Sequence, residues 1–411
     1  MTRTRMRLSA LVTAVVTSTV TLVGSAGPAL ADGPVTGGQD LAPGVRLSTF
    51  ETPTAVGTAT GDLLTVDLAN RHVHVDLLHP DAVAARETVS GMTSDERAVA
   101  GVNADFFNID ESQHPGVAAT GSSNGPEITH GRALKAAVPN SQRFGPAMAP
   151  GTSTQDVIGV GVDGRARLGS LRLVGSYTAP GRSGGRHELG GLNQYALPQN
   201  GVGAFTHDWG TVSRQRAVCG SDVKRGDPCS TDTAEVTVRR NRVVSVAATP
   251  GEGAIAADST VLVGREVGAA QLRELRVGDA VRVSYHLAAS ARVPYRFAVG
   301  GAPILRDGAV LPGVDDTVSA TRTAAGVSAD GRRLYLVVND GQAETGGGMT
   351  LREMADLLVA FGARSGINLD GGGSSTCAAR LPGADEVTVV NEHPNGAAER
   401  AVANGIGVFS R

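Results

Sequence analysis

Lysine is all but missing from this chain of 411 residues: Lys135 and Lys224 are the only two, and arginine carries the rest of the positive charge. A formal net charge of -3 leaves no basic footprint of the kind nucleic acid selects, which excludes that partner class. Arginine without lysine, beside abundant Ala, Gly and Val, is a composition that a GC-rich genome produces, so no single arginine is taken as a phosphate ligand on charge alone. Aromatic residues are as scarce, 3% of the chain with one tryptophan, Trp209, which leaves little for exposed stacking platforms. Cysteine occupies three positions, none in a His/Cys spacing that makes a zinc site. Beyond the N-terminal segment no apolar run is long enough to cross a bilayer.

What is present begins with an export signal. Arg3, Arg5 and Arg7 precede an apolar stretch over residues 8–23, and Ala29-Leu30-Ala31 supplies a small-x-small cleavage site, the pattern of a secretory signal peptide over residues 1–31. The mature chain is then expected outside the cell, without a membrane span. Export agrees with the cysteines: Cys219 and Cys229 flank a polar loop and are expected to pair, leaving Cys377 alone.

The richest stretch is Gly366-Ile367-Asn368-Leu369-Asp370-Gly371-Gly372-Gly373-Ser374-Ser375-Thr376. A short apolar run ends in a carboxylate, followed by three glycines and three hydroxyls. Upstream, Leu351, Met354, Ala355, Leu358 and Phe361 recur at helical spacing. Thr350 with Glu353 predicts a capping box, and Gly362 a C-terminal stop. The order is helix, glycine turn, buried strand, acid, glycine loop. Backbone N–H groups of such a loop converge on an anion, whereas the spacing matches neither a phosphate-binding Walker loop nor a dinucleotide fingerprint.

Around this stretch the chain alternates between two grammars. Residues 63–68 and 72–77 alternate apolar with polar residues and predict a hairpin turning at Asn70-Arg71. Residues 98–107 read as an apolar strand running into Asn103, Asp105, Phe106 and Phe107. A second strand, 334–338, ends in Asn339-Asp340-Gly341. Short β-type runs fill the middle. The expected fold class is α+β: a mixed sheet flanked by helices, formed by residues 32–150 with 293–411 and interrupted by a β-rich insertion at 151–292.

The segments at 103–107, 300–308, 322–326, 337–341, 348–376 and 399–409 resemble, in order, the phosphodiester glycosidase family, most specifically in the run from Met349 to Ser375. The family's usual Asn-Gly-Gly-Phe-Phe stands here as Asn103-Ala104-Asp105-Phe106-Phe107. The resemblance implies hydrolysis of a sugar-1-phosphodiester to free sugar and a phosphomonoester, with a phosphodiester-linked glycan as partner.

The residue chemistry agrees with that class. Holding a phosphodiester needs cationic and backbone donors, available in Arg322, Arg400 and the Gly371, Gly372, Gly373 and Ser374 loop. Stabilising an oxocarbenium-like carbon or activating water needs carboxylates, and Asp370 with Glu399 is the expected catalytic pair. Asn103 and Asp340 are expected to bind substrate. This reading requires no cofactor. A rival one places a divalent cation on Asp105, Asp340 and Asp370 to activate water against phosphorus, and a third makes the protein a non-catalytic glycan binder.

Overall fold

Inward-facing β-branched and aliphatic residues at every second position make strands the main regular structure of this protein. The computed structural model describes residue 2 and residues 34–178, 185–341 and 347–411; the expected signal peptide, apart from Thr2, lies outside the described residues. Residues 34–411 form one compact unit.

The expected α+β architecture is corrected. The described chain is 40% strand and 11% helix, with three short α-helices, α1 (Val89–Asp95), α2 (Val267–Arg273) and α3 (Leu351–Ala360). An eight-stranded sheet runs in the order Val35–Ala42, Val45–Thr54, Gly57–Asp67, Arg333–Asn339, Thr323–Val327, Ser365–Asn368, Ala302–Arg306, Ala309–Val310. A five-stranded sheet runs Thr388–Val389, Cys377–Ala379, Ala100–Asn103, Gly405–Ser410, Val73–Leu78. The pairings of both are antiparallel. Their inner faces share one core: Leu64, Val66, Leu336, Val338, Ile367 and Leu369 from the first meet Val75, Val102, Cys377, Ile406 and Val408 from the second. A sheet, not a layer of helices, therefore covers that face. Only α3 packs on the outer face, inserting Leu351, Met354, Ala355 and Leu358 among Leu63, Ile304 and Val337.

The local signals explain why α3 alone matches its expectation. Thr350 and Glu353 form the capping box, the helix runs to Ala360, and Gly362 takes φ +102° just beyond the end, where a side chain would be strained. The hairpin expected at Asn70-Arg71 is corrected too. The turn exists, with Val73 N–H donating to Asn70 O at 3.0 Å, but Gly57–Asp67 and Val73–Leu78 lie in different sheets. The chain crosses the sandwich there instead of pairing with itself.

Strands between residues 156 and 289 supply most of two further sheets. In one, Asp156–Gly161 pairs with Tyr295–Gly300, which pairs with Glu127–Thr129. In the other, Val202–Phe205, Ser259–Arg265, Thr233–Arg239 and Arg242–Ala247 are covered by α2. Cys219 and Cys229 form the expected disulfide, and Cys377 is free and buried. No described helix is long and apolar enough to cross a membrane.

Candidate active site

Asp370 stands where the chain leaves one sheet for the other. Within the eight-stranded sheet Asn368 lies opposite Ala324 and Ala302, and Leu369 N–H still donates to Thr323 O at 2.8 Å. The next N–H, of Asp370, reaches across to Ala104 O at 2.7 Å, so the carboxylate sits at the seam of the two sheets. Gly372, at φ +61°, then turns the chain back so that its N–H meets Thr321 O at 2.9 Å. Asn368 faces away from the seam by strand alternation, and both atoms of its buried carboxamide lack a partner; nothing in the structure accounts for them.

The Asp370 carboxyl accepts from Gly371 N–H at 3.0 Å and from the Ser374 hydroxyl. Burial pushes its pKa up to about 6, while Ser374, Gly371 and Arg400 pull it back. The exposed Arg400 donates from Nη1 to Ser374 Oγ at 3.3 Å. The Ser374 hydroxyl thus links the Asp370 carboxyl to the Arg400 guanidinium.

Asn103 braces this group from the facing sheet. Its Nδ2 donates to Asp370 O at 2.7 Å, and its Oδ1 accepts from Thr323 Oγ1 at 2.8 Å and Thr376 N–H at 3.0 Å. The amide is buried, with Oδ1 accepting two bonds and one of its two Nδ2 N–H groups engaged, so it braces the loop.

Glu399 lies elsewhere. Oε1 accepts from Ser90 N–H at 2.9 Å and Oε2 from the Ser90 hydroxyl, at the start of α1. Its hydrogen bonds are to the start of α1, and it stands one residue before Arg400 in the chain. Arg322 is also engaged: Nε donates to Met349 O at 3.1 Å and Nη2 to Val318 O at 2.7 Å. Two backbone carbonyls, one of them on the exposed Val318, are its companions.

Asp340 follows the strand Arg333–Asn339. Its Oδ2 accepts from Thr60 Oγ1 at 2.7 Å and its Oδ1 from Glu392 N–H at 2.9 Å. The adjoining segment 391–393 joins it to the glycine loop: Asn391 accepts from Cys377 N–H at 2.7 Å and donates to Ser375 O at 3.1 Å, and His393 Nε2 meets Thr376 Oγ1 at 3.0 Å.

Asp62, which the sequence reading missed, shares this corner. It is 6% exposed, and its pKa is pushed up to about 7, first by burial and then by the Asp340 charge. The overlooked signal was its position: Asp62 alternates with Leu64 and Val66 on the apolar face of its strand.

Asp105 is sunk in a separate buried cluster. Its Oδ2 accepts from Gly125 N–H at 2.5 Å, and burial pushes it up to about 7. Lys135, pushed down by burial to about 8, donates to the carbonyl of the same Gly125. Among the described residues no group of three or more His, Cys, Asp or Glu side chains is placed to hold a metal ion, so Asp105, Asp340 and Asp370 do not converge. A cavity of about 590 Å³ lies elsewhere, lined by Arg132, Asp208, Tyr285 and His286 among others; none of the expected site residues reaches it.

A β-sandwich carrying a buried carboxylate, a glycine loop and an arginine at its seam defines a class of site suited to an anionic ester. Residues 232–409 match the phosphodiester glycosidase family. None of the curated proteins matches the chain. Among solved structures, a hypothetical protein from Synechocystis is similar at TM-score 0.69 and 21% identity, over 92% of this chain and 64% of its own. This chain therefore spans just under two thirds of that protein. A protein described as exported, from Burkholderia pseudomallei K96243, is similar at TM-score 0.63 and 22% identity, over 86% of this chain and 74% of its own. These two show a shared fold. The catalytic domain of zebrafish N-acetylglucosamine-1-phosphodiester alpha-N-acetylglucosaminidase, auto-inhibited by its pro-peptide, aligns at TM-score 0.43 and 16% identity over 92% of this chain and 87% of its own.

Proposed function

We propose that the protein hydrolyses a sugar-1-phosphodiester at the bond between the anomeric carbon and the bridging oxygen, releasing free sugar and a phosphomonoester. The observation that carries this reading is the bonded group of Asp370, Ser374 and Arg400 on the glycine loop. Arg400 and the Ser374 hydroxyl take the phosphodiester anion by charge-assisted bonds. Asp370, ionised above about pH 6, accepts a proton from the water that attacks the anomeric carbon. The C–O bond breaks with its electron pair going to the bridging oxygen, and phosphate stabilises that charge itself, so one carboxylate base suffices. Glu399 acts at one remove, pinning the chain of Arg400 to Ser90.

Asn103 positions the loop, and Arg322 closes the structure beneath it. The reading needs no metal ion. Export is supported by the leader composition and by the Cys219–Cys229 bridge, which persists in oxidising surroundings. An exported enzyme of this class meets envelope or extracellular glycans joined by sugar phosphates. The test is hydrolysis by the purified protein across a panel of sugar-1-phosphodiesters, with simple O-glycosides as controls. Release of sugar and phosphomonoester from members of the panel is expected; activity only on O-glycosides, or on none, overturns the reading.

A further inference from the structure

The corner holding Asp62 and Asp340 has the opposite charge to the corner holding Arg400. On the strand Gly57–Asp67, Thr60 and Asp62 share a face, the inner one that carries Leu64 and Val66 into the sandwich core. Asp62 is opposite Val338, and Asp340 continues the same face two residues on, its N–H donating to Thr60 O at 2.9 Å. The two carboxyls are thus diagonal neighbours projecting between the sheets. From the facing sheet Cys377 registers both, since burial, Asp62 and Asp340 together push its thiol well up. Their bonding differs. Each oxygen of Asp340 already accepts a hydrogen bond, from Thr60 and from Glu392 N–H. Asp62 is buried to the same depth as the core and has no hydrogen-bond partner among the described residues.

A carboxyl at this depth without a protein partner costs stability, and its neighbour Asp340 is tied to the segment 391–393 that connects this corner to the glycine loop. An anionic phosphodiester is repelled from two neighbouring carboxyls and drawn to Arg400. A sugar ring is neutral and carries hydroxyls that both donate and accept. Resting on the phosphodiester reading above, we propose that Asp62 is a sugar-binding residue: it hydrogen-bonds a ring hydroxyl, Asp340 holds it in place, and the substrate lies with its phosphate toward Arg400 and its sugar toward Asp62. The titratable groups beside Asp62 are the Asp340 carboxyl and the Cys377 thiol.

The orientation is tested by separating sugar from phosphate in steady-state kinetics on the methyl phosphodiesters of α-glucose-1-phosphate and α-N-acetylglucosamine-1-phosphate, with inorganic phosphate as inhibitor. Asp62→Ala should raise KM about tenfold or more, change kcat less, and leave the inhibition constant of phosphate within about twofold. The isosteric Asp62→Asn should raise KM less and flatten its pH dependence between pH 6 and 8, where Asp62 ionises in the wild type. Unchanged KM in both variants, or a phosphate constant that moves as far as KM, overturns the proposal. If Asp62→Ala does not fold, Asp62→Asn decides by its pH profile. If the wild type cleaves neither these esters nor any other sugar-1-phosphodiester of the panel, the functional reading fails separately. Calorimetric binding of free glucose or N-acetylglucosamine then judges the subsite alone: binding lost on Asp62→Asn supports it, and no binding to the wild type sinks it.

Discussion

The guanidinium of Arg400 lies against the backbone of Gly373, so closely that a Cβ there would stand 2.6 Å from Nη2 and 3.0 Å from Cζ. Glycine at this position makes room for the cation at the loop, a requirement distinct from the positive φ of Gly372 next to it.

Gly373→Ala should therefore act on the anion site while leaving the fold intact. The methyl group displaces the exposed Arg400 from Ser374 at little backbone cost, because the three atoms nearest the new Cβ all belong to that flexible guanidinium. Inhibition by inorganic phosphate should weaken about tenfold, in line with loss of one charge-assisted contact, with a melting temperature within a few degrees of wild type. Unchanged phosphate inhibition would mean that Arg400 does not bind the anion.

Replacing Asp370 tests the base. Asp370→Asn keeps the shape and the Gly371 contact but cannot take a proton, and turnover should fall by a factor on the order of 100 or more. The pH profile gives the sign independently. A base must be ionised, and burial holds this one protonated up to about pH 6, so wild-type kcat should rise as pH increases through about 6 and then level. Stability should not suffer: with a pKa raised above its unfolded value, the carboxylate costs the folded state above that range, and the neutral amide relieves the cost. Turnover near wild type in Asp370→Asn would reduce the residue to a turn.

Much of the local structure was legible and the partnerships were not. Thr350, Glu353 and Gly362 declare α3 because capping is settled within one turn of chain. The strand before Asp370 and the Cys219–Cys229 bridge follow from equally short-range signals. Which sheet a strand joins is a different kind of fact: residues 63–77 alternate as a hairpin would, and only the packing of Leu64 and Val75 into one core from opposite sides separates their strands. For the same reason Glu399 could be picked out as an acid but not placed, since its partner Ser90 is 309 positions away. Asp62 escaped notice because an acid in an alternating strand reads as solvent-facing until the register is known.

That distant bond yields its own test. If Glu399 serves by holding Arg400 through Ser90, then Glu399→Gln and Ser90→Ala should each raise KM a few-fold, leave kcat nearly unchanged, and combine non-additively, because both break one contact. A kcat loss on the order of 100-fold in Glu399→Gln alone would restore it as the partner acid of Asp370.

Which bond breaks separates the proposed glycosidase from a metal-dependent phosphodiesterase built on Asp105, Asp340 and Asp370. Water directed by Asp370 to the anomeric carbon leaves the bridging oxygen with phosphate, so the new oxygen appears on the sugar. Metal-bound hydroxide attacking phosphorus puts the new oxygen in the phosphate. The products are otherwise identical, and rate assays do not distinguish them. Hydrolysis in oxygen-18 water, followed by mass spectrometry with controls for exchange at the free anomeric hydroxyl, does. The three carboxylates point to separate places: Asp105 at Gly125, Asp340 at Thr60 and Glu392, Asp370 at Gly371 and Ser374. Label is therefore expected on the sugar and none in the phosphate, with activity retained in EDTA. Label in the phosphate together with loss of activity on chelation would require these side chains to rearrange around an ion, and the carbon-centred mechanism would fall.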